Sequence, residues 1–298
     1  MFETESYENG EIVRWAWARD IDLVPQPFWT SVYLIDGLLI DTGPPAGSNE
    51  FERFIESNLD EVEKVVITHW HEDHCGGANY LTEELDLPVF IHGNGIDKVR
   101  NGFSLPYYRE TVWGGPVEPA PEVRRIDFDS INTRSGRYSF EVMHMPGHSS
   151  DLVALIEPEK EWIFEADTVS PERQMSFGET RDGLEEEMEP VVEDIEGIYS
   201  SLRKLQERVV EMDNPTVFTS SYGEFGGDIV DRNVDELGEL HENVHEYREE
   251  GLEVREIVEK LFGGEHLVGE LTNHALSRKN LVESLLEWPR GSRGRSTV

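Results

Sequence analysis

The chain has 298 residues, 62 acidic against 26 basic side chains, a formal charge of −36, a pI near 4.5 and 37% hydrophobic residues. That hydrophobic content excludes a disordered chain, the lack of any run of 18 apolar residues excludes a membrane-spanning helix, and one cysteine, Cys75, excludes an intrachain disulfide. Such charge repels itself in dilute buffer, but molar salt shortens the Debye length to about 3 Å, so acids spread along the whole chain read as a halophilic surface rather than a docking face for a basic partner.

The N-terminus Met1-Phe2-Glu3-Thr4-Glu5 carries no basic stretch followed by an apolar one, which predicts a soluble, cytoplasmic protein. Strands are expected over 12–17 and 30–35, the second turning at Asp36-Gly37 into Leu38-Leu39-Ile40, because Asp-Gly between apolar runs signals a hairpin. Trp15, Trp17 and Trp29 read as core or rim aromatics. A helix is expected over 49–57, then a buried strand at Val65-Val66-Ile67. The next stretch, Thr68-His69-Trp70-His71-Glu72-Asp73-His74-Cys75-Gly76-Gly77, packs three histidines and an aspartate into six residues at a strand's carboxyl end. Imidazoles at alternate positions can turn two ring nitrogens on one cation, and a third histidine from elsewhere would complete a three-histidine zinc site with a position left for water. Asp73 and His74 could hold a second metal or orient that water, whose pKa coordination can bring down to about 7. Cys75 reads as a small buried thiol behind the loop.

A second helix is expected to start at Gly76-Gly77-Ala78, then a strand at 88–91 ending at His92. Residues 103–115 form an aromatic stretch that could lie over the metal edge or cap the core. Strands follow at 139–144, 152–156 and 162–164, and His144 reads as a core residue or one that supports a ligand. Residues 170–190, with Glu185-Glu186-Glu187, read as an acidic, solvated insertion. Helical periodicity returns over 191–210 and 231–262, where His241 and His245 share one face as a structural pair or a separate metal pair. Two domains are expected: 1–262, and a short helical appendage, 263–298, whose basic tail carries Arg290, Arg293 and Arg295.

His69-x-His71-x-Asp73-His74 resembles the signature of the metallo-β-lactamase superfamily, and three more stretches share the resemblance: Leu39-Ile40-Asp41-Thr42-Gly43, Met145-Pro146-Gly147-His148-Ser149 and Phe164-Glu165-Ala166-Asp167-Thr168. It covers about residues 10–262, is similar at a distance to β-lactamase-like endoribonucleases and thioesterase-like hydrolases, and implies an α/β fold, a four-layer αββα sandwich with a short C-terminal helical extension. It implies His69, His71, Asp73, His74, His148 and Asp167 as metal ligands, Asp167 as a bridge, Asp73 also as the group that orients the attacking water, and Asp41 as a residue that holds the metal loop by hydrogen bonds. The pattern departs at Thr219-Ser220-Ser221-Tyr222-Gly223, where the family usually has a metal histidine before glycine. Tyr222 in that place implies one firmly bound zinc and an uncertain second, with iron or manganese left open, and a phenol that could serve a developing oxyanion. The function expected is a metal-dependent hydrolase acting on an ester, thioester, lactone or phosphodiester of a small molecule. The alternatives are a nuclease on single-stranded nucleic acid, for which the chain lacks a basic patch, and a metal-binding regulatory protein without catalysis. A diiron oxidoreductase is disfavoured because His71 stands where a carboxylate would be needed.

Overall fold

The structure is a computed structural model that describes residues 1–21, 27–178, 188 and 190–290. One sheet runs β1 (Phe2–Tyr7), β2 (Ile12–Arg19), β3 (Phe28–Ile35), β4 (Leu38–Ile40), β5 (Lys64–Ile67), β6 (Val89–Ile91) and β7 (Arg124–Arg125). It is antiparallel up to β4 and parallel from there. The β3–β4 hairpin turns on Asp36 and Gly37, both at positive φ (41° and 86°), the backbone that Asp-Gly permits and that matches the twist of the flanking strands.

A second sheet is ordered β14 (Gly223–Gly226), β13 (Thr216–Thr219), β11 (Trp162–Ala166), β10 (Val153–Glu157), β9 (Ser139–His144) and β8 (Ser130–Asn132). β13 lies parallel to β11, reached by a crossover through α5 (Ile195–Val209), as parallel neighbours require. The alternation of side chains explains why both sheets read as continuous apolar runs. Leu38, Ile40 and Val66 join Leu155, Phe164 and Phe218 in a core between the sheets. Leu39, Val65 and Ile67 point the other way, onto Phe51, Phe54 and Ile55 of α1 (Ser48–Asn58). From the second sheet Ala154, Ile156, Ile163 and Val217 pack on α5 and α6 (Asp228–Glu249), α7 (Val254–Phe262) and α9 (Arg278–Glu287). The result is the expected αββα stack.

Three elements differ from expectation. The segment after β5 is helical within the histidine motif itself, as α2 (Glu72–Cys75); Gly76-Gly77 is a turn, and the expected helix starts at Ala78 and continues as a π-helix over Tyr80–Glu84. The Gly77 N–H is taken by Thr42 Oγ1 at 3.0 Å, and a Cβ there would meet Phe51 and the Thr42 carbonyl at 2.6 and 2.7 Å, so the glycine serves a close approach to the β4 loop. α5 starts at Ile195 rather than Val191, because Asp194 caps it by accepting the Gly197 N–H at 3.0 Å while Val191 packs with the first sheet. The helix expected over 231–262 is two, broken where Gly251 adopts φ +93° and restarted by a capping box between Glu253 and Glu256.

Beyond Gly263 come α8 (Leu267–Leu271) and a two-residue strand, β15 (Leu276–Ser277), which pairs with β12 (Ser176–Phe177). α9 then buries Leu281, Val282 and Leu285 in the second sheet's outer core. No described helix is long and apolar enough to cross a membrane. Glu185-Glu186-Glu187, Arg293 and Arg295 lie outside the described residues.

Candidate metal centre

Five strand ends deliver polar residues to one edge of the sandwich: Asp41 after β4, the motif after β5, His148 after β9, Asp167 after β11 and Ser220 after β13. The sheets are tied together beside it, where Val153 N–H donates to the Thr68 carbonyl at 2.9 Å and Tyr33 OH to the Thr219 carbonyl at 2.6 Å. Gly147, at φ +146°, lets the loop before His148 lie on the start of α5, where a Cβ would clash with the Ile198 backbone nitrogen.

His69 Nε2 and His148 Nε2 each lie 3.0 Å from His71 Nδ1, and one atom from each of the three residues falls within 4.8 Å of the others. Two nitrogens bound to one tetrahedral zinc at about 2.0–2.1 Å stand roughly 3.3 Å apart, so the imidazoles fit a shared cation. Burial, helped by the neighbouring rings, holds the pKa of His69 and His71 well below the usual histidine value, and a neutral imidazole is the form that ligates. A second group is His69, His74 and Asp167. Asp167 Oδ2 lies 3.0 Å from His74 Nε2, 3.5 Å from His148 Nε2 and 3.8 Å from His69 Nε2, so this one oxygen faces both groups. Burial opposes a charge on His74, but Asp41, Asp167 and Asp73 outweigh it and raise its pKa well above normal. Three carboxylates thus concentrate negative potential where a second cation would sit.

Asp73 belongs to neither three-residue group among the described residues. Its Oδ2 is 3.5 Å from His74 Nε2 and its Oδ1 accepts from Arg109 Nη2 at 3.2 Å. Asp41 sits behind the motif, accepting from Thr68 N–H at 2.7 Å and meeting His74 Nδ1 at 2.7 Å. Tyr222 is 57% exposed and anchored through its backbone N–H to Thr219 Oγ1 at 2.9 Å. The side chain that meets Asp167 from this turn is Ser220, whose Oγ donates to Asp167 Oδ1. Cys75 is buried, its thiol 3.0 Å from the Trp70 carbonyl.

Other histidines stay away. His92 and His144 stack at 4.2 Å, and His144 is exposed, neither in the core nor supporting a ligand, with Nε2 3.0 Å from the Ser150 carbonyl. His241 and His245 both direct Nε2 at the Trp288 carbonyl, at 3.0 and 2.9 Å, and so anchor the end of α9.

Sequence reasoning missed the supports of the site. Glu193 Oε1 meets His148 Nδ1 at 2.7 Å and Arg173 Nη1 at 3.3 Å, and its Oε2 accepts the Phe177 N–H at 3.1 Å. Burial pushes the Glu193 carboxyl up, but Arg173 and His148 outweigh it and hold its pKa down to about 2, so it is the anion that fixes the imidazole. Arg109 lies on α4 (Tyr107–Trp113) and is the lone cation in the aromatic stretch 103–115. It donates from Nε and Nη2 to both oxygens of Glu72, at 2.6 and 2.9 Å. The aromatic stretch both caps and lines: Phe103, Leu105 and Trp113 are buried in the first sheet's outer core, while Tyr108, Val112 and Trp113 of α4 face a cavity of about 350 Å³ that opens on His71, Asp73, His148 and Asp167. Its far wall includes Val268, Thr272 and Leu276 from the C-terminal segment.

The family model for the metallo-beta-lactamase superfamily matches residues 27–221. A hydroxyacylglutathione hydrolase of Legionella pneumophila is 24% identical over 160 residues, 54% of this chain and 53% of the relative. An atrochrysone carboxyl ACP thioesterase of Aspergillus fumigatus is 28% identical over 185 residues, 59% of this chain and 47% of the relative. The chain therefore spans about half the length of these curated relatives. A metallo-beta-lactamase of Pontibacter korlensis shares the fold, with a TM-score of 0.58 over 80% of this chain and 99% of that one at 19% identity. With the model matched across well over half its length, and two sheets directing the histidine motif, His148 and Asp167 to one edge, the chain belongs to the metallo-beta-lactamase superfamily.

Proposed function

We propose that this chain is a zinc-dependent hydrolase of acyl esters and thioesters. The observation that carries the reading is the convergence of three imidazoles and Asp167 at the mouth of a largely apolar cavity. His69, His71 and His148 would hold one ion firmly. His74 and Asp167, with His69 or Asp73 beside them, would hold a second more loosely, because Ser220 rather than an imidazole meets Asp167 from the β13 turn. Zinc suits the imidazole set, although iron or manganese would also be accepted by it. Bound there, the metal supplies Lewis-acid polarisation of a carbonyl and an acidified water.

The chain's own residues do the rest. Arg109 occupies Asp73 Oδ1 and leaves Oδ2 as the acceptor that orients the water and takes its proton. Glu193 fixes His148, and Asp41 fixes His74 and Thr68. Tyr222 lines the cavity beside Asp167 and offers a neutral phenol to the substrate's developing oxyanion. Residues 1–262 form the catalytic unit, and the described part of the appendage, 263–298, closes its cavity through His266, Val268, Thr272 and Leu276. An acyl bond is favoured over a phosphodiester because net charge −36 opposes a polyanion, and two relatives are named as hydrolases of such substrates.

Elemental analysis of protein purified without added chelator, combined with turnover of p-nitrophenyl butyrate and of S-butyryl-N-acetylcysteamine, tests the reading. We expect at least one tightly held metal, hydrolysis of both compounds, and loss of both metal and turnover in His148→Ala. Full metal with no turnover of either compound would leave a metal-binding regulatory protein.

A further inference from the structure

Resting on the acyl-bond reading above, we propose that the cavity selects an uncharged, apolar acyl group and rejects acyl groups that end in a carboxylate or phosphate. Apolar side chains come from three separate parts of the chain: Val112 and Trp113 on α4, Phe177 on β12, and Val268 and Leu276 beyond Gly263. Among the described residues, the two arginines that reach the cavity are already engaged. Arg109 is 5% exposed and gives Nε and Nη2 to Glu72 and Asp73. Arg173 gives Nη1 to Glu193 at 3.3 Å and Nη2 to the Thr168 carbonyl at 2.9 Å, and its Nε, which has no partner among the described residues, is buried away from the cavity surface.

Of the four carboxylates among the described lining residues, Asp73 and Glu193 pair with these arginines and Asp167 faces the imidazole groups, which leaves Glu172 as a further negative charge on the wall. His266, which with His71 and His148 completes the basic residues among the described lining, uses Nδ1 to accept the Val268 N–H at 3.2 Å. An anionic acyl terminus would therefore lose its water without gaining an unengaged guanidinium, and burying such a charge unpaired is strongly unfavourable. An alkyl chain loses nothing there and buries area against five apolar side chains. At about 30 Å³ per water-sized group, 350 Å³ holds on the order of ten non-hydrogen atoms, enough for a medium-length acyl chain.

The test compares p-nitrophenyl acetate, butyrate, hexanoate and octanoate with the p-nitrophenyl hemisuccinate, on the full metal-loaded chain. Each buried methylene is expected to raise kcat/KM about fourfold, and the hemisuccinate is expected to fall below the butyrate. Val112→Arg, which adds a cation to the half-buried face of α4, should flatten the chain-length series and raise the hemisuccinate. Val112→Ala keeps the wall uncharged and should only weaken the series. A flat series in the wild type, or a preferred hemisuccinate, would overturn this inference while leaving the hydrolase reading standing. If no ester is turned over, the hydrolase reading fails instead and binding decides the inference. A saturable shift of tryptophan emission on adding 1-octanol, lost in Trp113→Phe and not produced by succinate, would uphold it, and a shift with succinate in preference to 1-octanol, or with neither, would overturn it.

Discussion

Arg109→Met probes the least anticipated part of the site. The guanidinium is 5% exposed and bridges Glu72, fully buried, to Asp73. Burial raises the Glu72 pKa, and the charge of Arg109 acts against that rise. Methionine roughly keeps the volume and removes the countercharge, which leaves two carboxylates buried side by side. Breaking a buried pair in this way costs about 3–5 kcal/mol at neutral pH. The loss should shrink in acid, because a proton on Glu72 then replaces the missing cation. Adding Glu72→Gln should restore most of the stability, since an amide needs no countercharge, so the two substitutions should couple rather than add. Asp73 also loses the donor that orients it, and turnover of the butyryl ester should drop by about 10–100-fold, more in kcat than in KM. Urea denaturation of the wild type, both single variants and the double variant, run in molar KCl, measures the cycle. The reasoning is refuted if Arg109→Met unfolds within about 1 kcal/mol of the wild type, or if the double variant shows the simple sum of the two losses.

Glu193→Gln should weaken metal retention about 10–100-fold in competition with a chelator, because the amide cannot hold the His148 imidazole as an anion does; unchanged retention would remove Glu193 from the site. Asp151 accepts from Trp70 N–H and from Ser149, and burial, only partly offset by those hydrogen bonds, pushes its carboxyl from 3.8 to about 6. A raised carboxyl makes the native state the better proton binder, so this contribution is full below pH 4 and fades as pH rises towards 6. The change is roughly 3 kcal/mol at about 1.4 kcal/mol per unit. Asp151→Asn should lose that slope, and a pH profile parallel to the wild type's would contradict it. With net charge −36, the melting temperature should climb as KCl goes from 0.1 M to 2 M, as screening relieves repulsion among surface carboxylates. A flat curve would show that the acids are not self-repelling.

What could be read from the chain beforehand followed from locality. His69, His71, Asp73 and His74 crowd one loop after a β-branched strand, and Asp41, His148 and Asp167 each follow an apolar run that fixes where the strand ends. Their supports are remote and carry no such marker. Glu193 follows a stretch of acids in which nothing distinguishes it, and Arg109 reaches Glu72 across 37 residues. The helix break at Gly251 was hidden because apolar spacing continues on both sides of it, through Val244 and Ile257. At the end of β13 the strand's two-residue alternation gives way to a turn held by Thr219 Oγ1, so counting could not decide which of Ser220, Ser221 and Tyr222 faces Asp167.

The two-residue ladder between β12 and β15 has an evolutionary consequence. It registers Phe177 with Leu276, and both contribute to the cavity wall, yet the Phe177 N–H also holds Glu193, and through it His148. The segment beyond Gly263 can therefore exchange the side chains it presents, such as Val268 or Leu276, and so retune which molecules are admitted, while its backbone keeps the hydrolytic machinery assembled. At these wall positions the constraint falls on main-chain pairing rather than on residue type, whereas Leu281, Val282 and Leu285 of α9 stay tied to the core.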